Sequence, residues 1–472
     1  MTTRINTNVS SLIAQRHLTN SNGSLQEALT RLSTGLRINV GADDPAGLIA
    51  SENLRRDITA IEKAIANTER ATQLISTADS ALDEVSGILK DIRGLVTDSA
   101  NTGVLSSEQI AANQLQVDAS LDAINRIAQV TTFQGRRILD GSLGFLTTAI
   151  PATVVDHNIN VANLGATGSI AVDIDISAGA TQAQLTVGTA AFAGPGLVDD
   201  LVVQISGKTG SEVFTFETGA TLDQIVNAVN LVQDATGVEA TNNAGVLELD
   251  STGYGSESFV DVDVISETGV GTFGANLSAI RDTGTDIVAL VNGVSASGNG
   301  NTLSVNTATL DLSLTVTDGD STDVNFTING GGAVFQLGPN VVSNQQVQVG
   351  IASLNVGRLG GVNGRLYELR SGGTRALGTD PNGAALIVDE VINKVTTQRG
   401  RLGALVRTTL QTNVNSLNTT LVNLSEAESS IRDADFAKET AKLTRAQILV
   451  QAGTSVLTIA NQNPQNVLGL LR

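Results

Sequence analysis

The sequence predicts mostly α terminal regions, a long antiparallel helical bundle or coiled coil built from both chain ends, with an inserted α+β, mainly antiparallel β outer domain. Three observations carry this prediction. Apolar residues recur every three or four positions towards both ends, and every second position from about residue 146. Charge divides at the same places: residues 1–150 carry a net −3 and residues 331–472 a net +4, whereas residues 151–330 carry a net −20, with two basic residues against 22 acidic ones. Finally, 472 residues exceed what one core organises, so several domains are expected.

The first helix is expected from Ile5 to Leu32, with Val9, Leu12, Leu25 and Leu29 on a broken stripe and Gly23 inside it. LRINVGADDPAG then marks a turn, and Pro45 suits a first helical position behind an aspartate cap. Asp43 and Asp44 could also be read as a metal pair; the cap is preferred, since no third ligand lies nearby. The next stripe steps by fours and threes from Leu54 through Ile58, Ile61, Ile65, Leu82, Leu89 and Ile92 to Val96. It predicts a rod roughly 65 Å long, which needs an equally long partner. Thr72, Ile75 and Ala78 are spaced three and three, a stammer that disfavours uninterrupted dimer packing. A third helix starts at Ser106, whose spacing to Gln109 is that of a capping box, and buries Val117, Leu121 and Ile124.

From residue 146 the segments SIAVDIDI, AQLTV, LVVQISG, EVFTFETG, GVLELDS, VDVDVIS and LSLTVTDG alternate apolar with polar residues and end in turn formers. One helix, TLDQIVNAVN, interrupts them behind a Thr221–Gln224 capping box. Asp318, Asp320 and Asp323 have the look of a calcium loop without its spaced glycine and final glutamate, so a hairpin tip is the better reading. Helical spacing returns at Ala384 and runs through Ile387, Val391, Leu410, Leu417, Leu421 and Leu424 to Ile431, which supplies the partner of the rod. The last segment is apolar on more than one face, with Ile448, Leu449, Val456, Leu457 and Ile459, and demands burial against other molecules. The ends of the chain therefore meet while the middle hangs off them.

Composition removes several classes of function. An almost purely anionic middle is unsuited to nucleic acid or acidic membranes. Without cysteine there are neither disulfides nor thiolate metal sites. The first residues lack the apolar core of a cleaved secretory signal, and no stretch of about 20 apolar residues marks a membrane span. His17 and His157, the two histidines, form no H-E-x-x-H, and no serine triad, P-loop or dinucleotide glycine pattern occurs. Neither an enzyme nor a cofactor is expected.

LTRLSTGLRINVGADDPAGLIASENL, the Ser99–Asn101 triplet, TTFQGRRILDG and SSIRDADFAKETAKLTRAQILVQAGTSVLTIANQNPQNVLGLLR closely resemble the two terminal regions of bacterial flagellin. The likeness covers roughly 1–145 and 385–472. FQLGPNVVSNQQVQVGIASL at 335–354 resembles the strand pair that in flagellins usually follows the N-terminal helices; here it comes nearly 190 residues later, as if the outer domain were inserted into that hairpin. Residues 213–263 resemble a strand–helix–strand motif shared with hook-associated proteins.

The resemblance implies a division into an N-terminal polymerisation helix (1–42), rod helices of the filament wall (43–145), the acidic outer domain (146–330), the hairpin and return to the rod (331–384), a C-terminal rod helix (385–439) and a C-terminal polymerisation helix (440–472). It implies a subunit exported unfolded through the flagellar type III apparatus, without a cleaved signal, that self-assembles into an extracellular helical filament for swimming. Its partners would be itself, an export chaperone, and hook-associated junction and cap proteins. Assembly contacts then fall on Ile5, Val9, Leu12, Leu443, Leu449, Val456, Leu457, Leu468 and Leu471, and rod packing on Ile58, Ile61, Ile65, Leu82, Leu89, Leu410, Leu417, Leu421 and Leu424. By the same resemblance Asp91, Leu95 and Gln116 lie on the surface that the vertebrate Toll-like sensor of flagellin contacts. The leucine is kept, but Asp91 stands where recognised flagellins usually have arginine and Gln116 where they have glutamate, so weak sensing is expected. The other readings are a hook–filament junction protein and an adhesive module displayed on the filament, whose serines and threonines could instead carry O-glycans.

Overall fold

A computed structural model of the chain describes residues 7–470 apart from 166, 194, 195, 270 and 271. Among the described residues, the helices of ten or more residues are α1 (Val9–Thr34), α2 (Pro45–Ser99), α3 (Ser107–Val130), α4 (Leu222–Leu231), α5 (Pro381–Ala404), α6 (Gln411–Arg432) and α7 (Phe436–Leu470). The chain divides into two bodies: Met1–Glu69 with Leu337–Asn340 and Thr409–Arg472, and Arg70–Gln336 with Val341–Thr408.

In the first body α1 lies antiparallel to α7. The Asn8 amide donates to the Ala460 carbonyl (2.8 Å), Leu18 lies against Gly453, and Arg31 faces Glu439. A Cβ on Gly453 would come within 3.3 Å of the Leu18 side chain, so glycine permits the close approach. α1 opens on Asn8, which accepts from the Ser11 N–H, and closes on Gly35 in the left-handed region (φ 74°). Asp44 accepts from the Gly47 N–H at 2.9 Å, so the paired aspartates serve the turn before α2.

α6 ends at Arg432, next to the Ile431 that closes the apolar stripe, and α7 begins at Phe436. The break has a local cause: the Asp435 carboxylate accepts from the N–H groups of Ala437 and Lys438 at 3.1 and 3.2 Å, capping a new helix. Backbone bonds from Arg37 to Arg432 (2.6 Å) and from Ala434 to Gly35 (2.9 Å) clip the two ends of the chain together at this break.

In the second body the α2 stripe of Leu82, Val85, Leu89 and Ile92 is buried, as are Val117, Leu121 and Ile124 of α3 and Ile387, Val391 and Val395 of α5. Arg399 of α5 reaches Asp79 and Asp83 (3.0 and 2.7 Å), while Asp389 reaches Arg93 (2.8 Å). Partners retreat along one helix as they advance along the other, which fixes an antiparallel pair. α5 starts at Pro381, ahead of the apolar spacing, because Asp380 caps it through the Gly383 N–H. Leu405–Leu410 forms one π turn between α5 and α6, where the sequence reads a continuous stripe.

The β-rich part of this body holds two cores. One lies on a five-stranded sheet, in the order 294–295, 288–291, 170–178, 324–331, 145–148, and a six-stranded sheet, in the order 297–299, 302–306, 310–316, 154–162, 346–349, 333–336. Strand 170–178 turns Val172, Ile174 and Ile176 inward and Asp173 and Asp175 outward, the period of two that its sequence carries. The second core joins a four-stranded sheet (211–216, 201–207, 259–267, 281–283), a three-stranded sheet (238–243, 246–251, 184–187) and α4. The strands pair antiparallel throughout the described residues. The resembling 335–354 segment is a hairpin of 333–336 and 346–349, with Phe335 opposite Val347.

Candidate assembly surface

The α1–α7 pair buries little more than small residues: Ala14 and Ala28 from one helix, Ala446 and Ala460 from the other. Small residues let the two axes approach, which turns the large side chains outward. Val9 is 53% exposed, Leu12 57%, Leu449 47% and Val456 53%, with Ile13, Ile448 and Ile459 exposed beside them. Leu443 and Leu457 are half-buried. Ile5 and Leu471 fall outside the described residues, as does the side chain of Leu468. Scattered exposed apolar residues are ordinary; a run of them along both faces of one helix pair is a surface awaiting a partner.

Charge fixes the register of this pair. Glu439, only 5% exposed, takes Lys442 at 2.7 Å and Arg31 at 3.6 Å, and Arg31 also reaches Glu27. At the start of α2, the N–H groups of Val40 and Asn39 hold the Asp43 carboxyl below its ordinary value, and at the start of α7 the Lys438 N–H does the same for Asp435. Asp435, an anionic cap at a helix N-terminus, is in its favourable state at neutral pH, while Asp43 fastens the turn that leads into α2.

The rod residues divide by body. Leu82 and Leu89 are buried in the second; in the first, Ile61 and Leu410 are buried, whereas Ile58, Ile65, Leu417, Leu421 and Leu424 are half-buried and α6 has no fully buried residue. The first half of α2 and α6 are tied by Asn413 to Thr68 (3.4 Å) and Arg432 to Glu52 (3.1 Å), and their stripes remain partly open. Asp91 and Gln116 are exposed and Leu95 half-buried, on α2 and α3.

Polar anchors of the rod are missing from the sequence reading. Gln114, buried on α3, donates to the Leu369 carbonyl (2.7 Å) and accepts from the Leu377 N–H (2.8 Å). Glu390 accepts from the N–H groups of Val362 and Asn363 (2.9 and 3.1 Å), and Asn125 from that of Val356 (3.0 Å). A glutamine inside an amphipathic pattern gives no sign that its amide will bind loops more than 250 residues away. Burial acts against ionisation of Asp118, but hydrogen bonds from the Ser371 hydroxyl and N–H outweigh it and hold the carboxyl below its ordinary value. Asp79, the first of its partners, raises Arg399 further still.

Among the described residues, no three His, Asp or Glu side chains group to hold a metal ion, and no helix is long and apolar enough to cross a membrane. Asp318, Asp320 and Asp323 serve the turn between strands 310–316 and 324–331: Asp318 accepts from the Asn301 amide (2.7 Å) and Asp323 from the Ile176 N–H (2.9 Å).

A chain whose middle closes on its own cores while its two ends form a helix pair with exposed apolar faces is a self-assembling structural subunit. Residues 5–143 match the bacterial flagellin N-terminal helical region, residues 386–471 the bacterial flagellin C-terminal helical region, and residues 203–253 the flagellin hook IN motif. The last spans the hairpin 201–207/211–216, α4 and the hairpin 238–243/246–251, so it begins earlier than the 213–263 stretch that the sequence suggests. The chain is 30% identical to B-type flagellin of Pseudomonas aeruginosa and 29% identical to flagellin A of Vibrio cholerae, over 100% of both chains in each case. It is 28% identical to a flagellin of Salmonella typhimurium over 99% of both. The chain belongs to the bacterial flagellin family. It is accordingly a structural subunit of the flagellar filament, which assembles with copies of itself, and not an enzyme; the junction-protein reading is not favoured.

Proposed function

We propose that the filament is held along its axis by the α1–α7 pairs of successive subunits. The observation that carries this is the exposure of Val9, Leu12, Leu449 and Val456 on a pair whose own contact is made by alanines. In the same reading Leu443, Leu457, Leu468, Leu471 and Ile5 complete the terminal contacts. Half-buried Ile58, Ile65, Leu417, Leu421 and Leu424 are covered when neighbouring subunits close the wall, and the division at 42/43, 145/146, 330/331, 384/385 and 439/440 separates these roles. The subunit works outside the cell, leaves it through the flagellar export apparatus without a cleaved signal, and meets an export chaperone, hook-associated junction proteins and a cap on the way. Nucleic acid has no part, in keeping with the net −20 of residues 151–330. Exposed Asp91 and Gln116 flank Leu95 on a surface poorly suited to the vertebrate sensor.

The test is seeded assembly: protein dissociated by heat, cooled with filament fragments, and imaged by electron microscopy. Long uniform helical filaments are expected. A soluble monomer, or an oligomer of fixed size that stops growing, would overturn the reading.

A further inference from the structure

A cavity of about 580 Å³ opens within the second body between the strand 154–162, the 350–365 connection and the α2–α5 pair. Its deeper wall is apolar: Leu82, Ile159, Leu354 and Val395 are buried, and Phe145 and Ile150 are half-buried. Its rim is cationic, with Arg358, Arg365 and Lys394 beside His157 and the single carboxylate Asp156.

Lys394 and Asp156 neutralise one another, whereas the two guanidinium groups have no carboxylate partner among the described residues. Lys394 pairs with Asp156 at 2.6 Å and donates to the Gly360 carbonyl. Arg365 donates one N–H to the Arg358 carbonyl (3.0 Å), which anchors its side chain at the rim. Neither Arg358 nor Arg365 has a carboxylate within ion-pair distance among the described residues. Asp156 neutralises Lys394, and the nearby carboxylates of Glu368 and Glu390 are taken up by the backbone N–H groups of Arg365 and of Val362 and Asn363, which leaves the Arg358 and Arg365 guanidinium groups without an ion-pair partner among the described residues. Guanidinium groups left with free donors are suited to a planar or tetrahedral anion, and a cavity of this size with an apolar wall and a few converging polar groups has the build of a small-ligand site.

We infer that this cavity binds a small amphipathic anion, with a carboxylate or phosphate head between Arg358 and Arg365 and a short apolar body against Leu82, Ile159 and Val395. The desolvated His157 imidazole is held below its ordinary value, and Lys394 and Arg365 push it further down against the opposing pull of Asp156. An anion at the rim offsets those cations and moves the histidine back up, which makes His157 a built-in reporter. His17, on α1, is the one other histidine and serves as the internal control.

The experiment is titration of full-length monomeric protein, labelled at histidine, with octanoate, followed by NMR. Saturable shifts of His157 with an upward movement of its pKa, and none at His17, are expected. Arg358→Gln, which keeps the backbone carbonyl that anchors Arg365, should weaken octanoate binding about tenfold while the variant still assembles on seeds. Arg365→Gln is the second variant, should the first fail to fold. Octanol or inorganic phosphate saturating the site as well as octanoate would overturn the inference, as would octanoate binding unchanged in both variants.

Discussion

Leu449→Ala separates assembly from folding more sharply than any other single change. Leu449 is 47% exposed in the isolated chain, so about half of its surface is already covered and the rest is available to a neighbouring subunit. Full burial of a leucine side chain is worth roughly 1.5–3 kcal/mol, so the exposed half contributes about 1 kcal/mol per subunit, and a residual cavity could take the loss to about 2 kcal/mol. The critical concentration for assembly follows the free energy of adding one subunit. It should therefore rise about fivefold to thirtyfold, measured as the monomer left after seeded growth and sedimentation. The monomer's thermal unfolding should barely move. Leu89→Ala, at a position with no exposure, should do the reverse: about 2–5 kcal/mol of unfolding free energy lost, with assembly restored once the chain is folded. An unchanged critical concentration for Leu449→Ala would refute the axial role of α7.

Other perturbations reach different parts of the argument. Gln114→Leu strands the buried Leu369 carbonyl and Leu377 N–H and should cost about 2–4 kcal/mol in denaturant unfolding, several times the effect of Gln116→Leu on the exposed side of the same helix. Asp140 and Asp380 are held below the ordinary 3.8, by Ser142 and by the Gly383 N–H respectively, as Asp118 is by Ser371 once burial is outweighed. These three contribute fully above the unfolded-state value and lose that contribution as pH falls through their lowered folded values. The melting temperature should thus hold from neutral pH to about 5 and fall below about 4, and Asp380→Asn should make the fall shallower. Asp91→Arg should raise potency in a reporter cell carrying the flagellin sensor by about tenfold; an unchanged response would remove Asp91 from that surface.

The long helices are legible because a stripe such as Leu82–Leu89–Val96 survives any detail of its partner, and because caps are local. Ser106–Gln109 and Thr221–Gln224 each form the full capping box that four residues of sequence announce. Alternation in IAVDIDI likewise fixes which side chains face inward. It does not say which strand lies alongside: 170–178 pairs with 324–331 and 288–291, more than 100 positions on, and that choice rests on how whole faces fit. The apolar stripe ends at Ile431, one residue before the end of α6, but the Asp435 cap that starts α7 shows only once the N–H groups it accepts are seen. The π turn at Leu405–Leu410 left the apolar spacing nearly intact and so left no trace. Of the candidate site, the excess of large apolar residues at the C-terminus was readable, but their outward direction depends on alanines at the α1–α7 contact.

Strand 154–162, near the start of the β-rich part, and strand 346–349, near its end, are neighbours in one sheet, with Val161 opposite Val349. Residues facing one another in this way are about 4.5–5.5 Å apart. Residues 162–348 are therefore, in topological terms, an excursion whose two ends meet, and strand 310–316 within it holds 154–162 from the other side. Loops closed at so short a span lengthen or shorten at small entropic cost. A foreign domain whose own termini lie a strand's width apart could be spliced there, and every copy in the polymer would then present it at a regular spacing while the helices that drive growth keep their sequence.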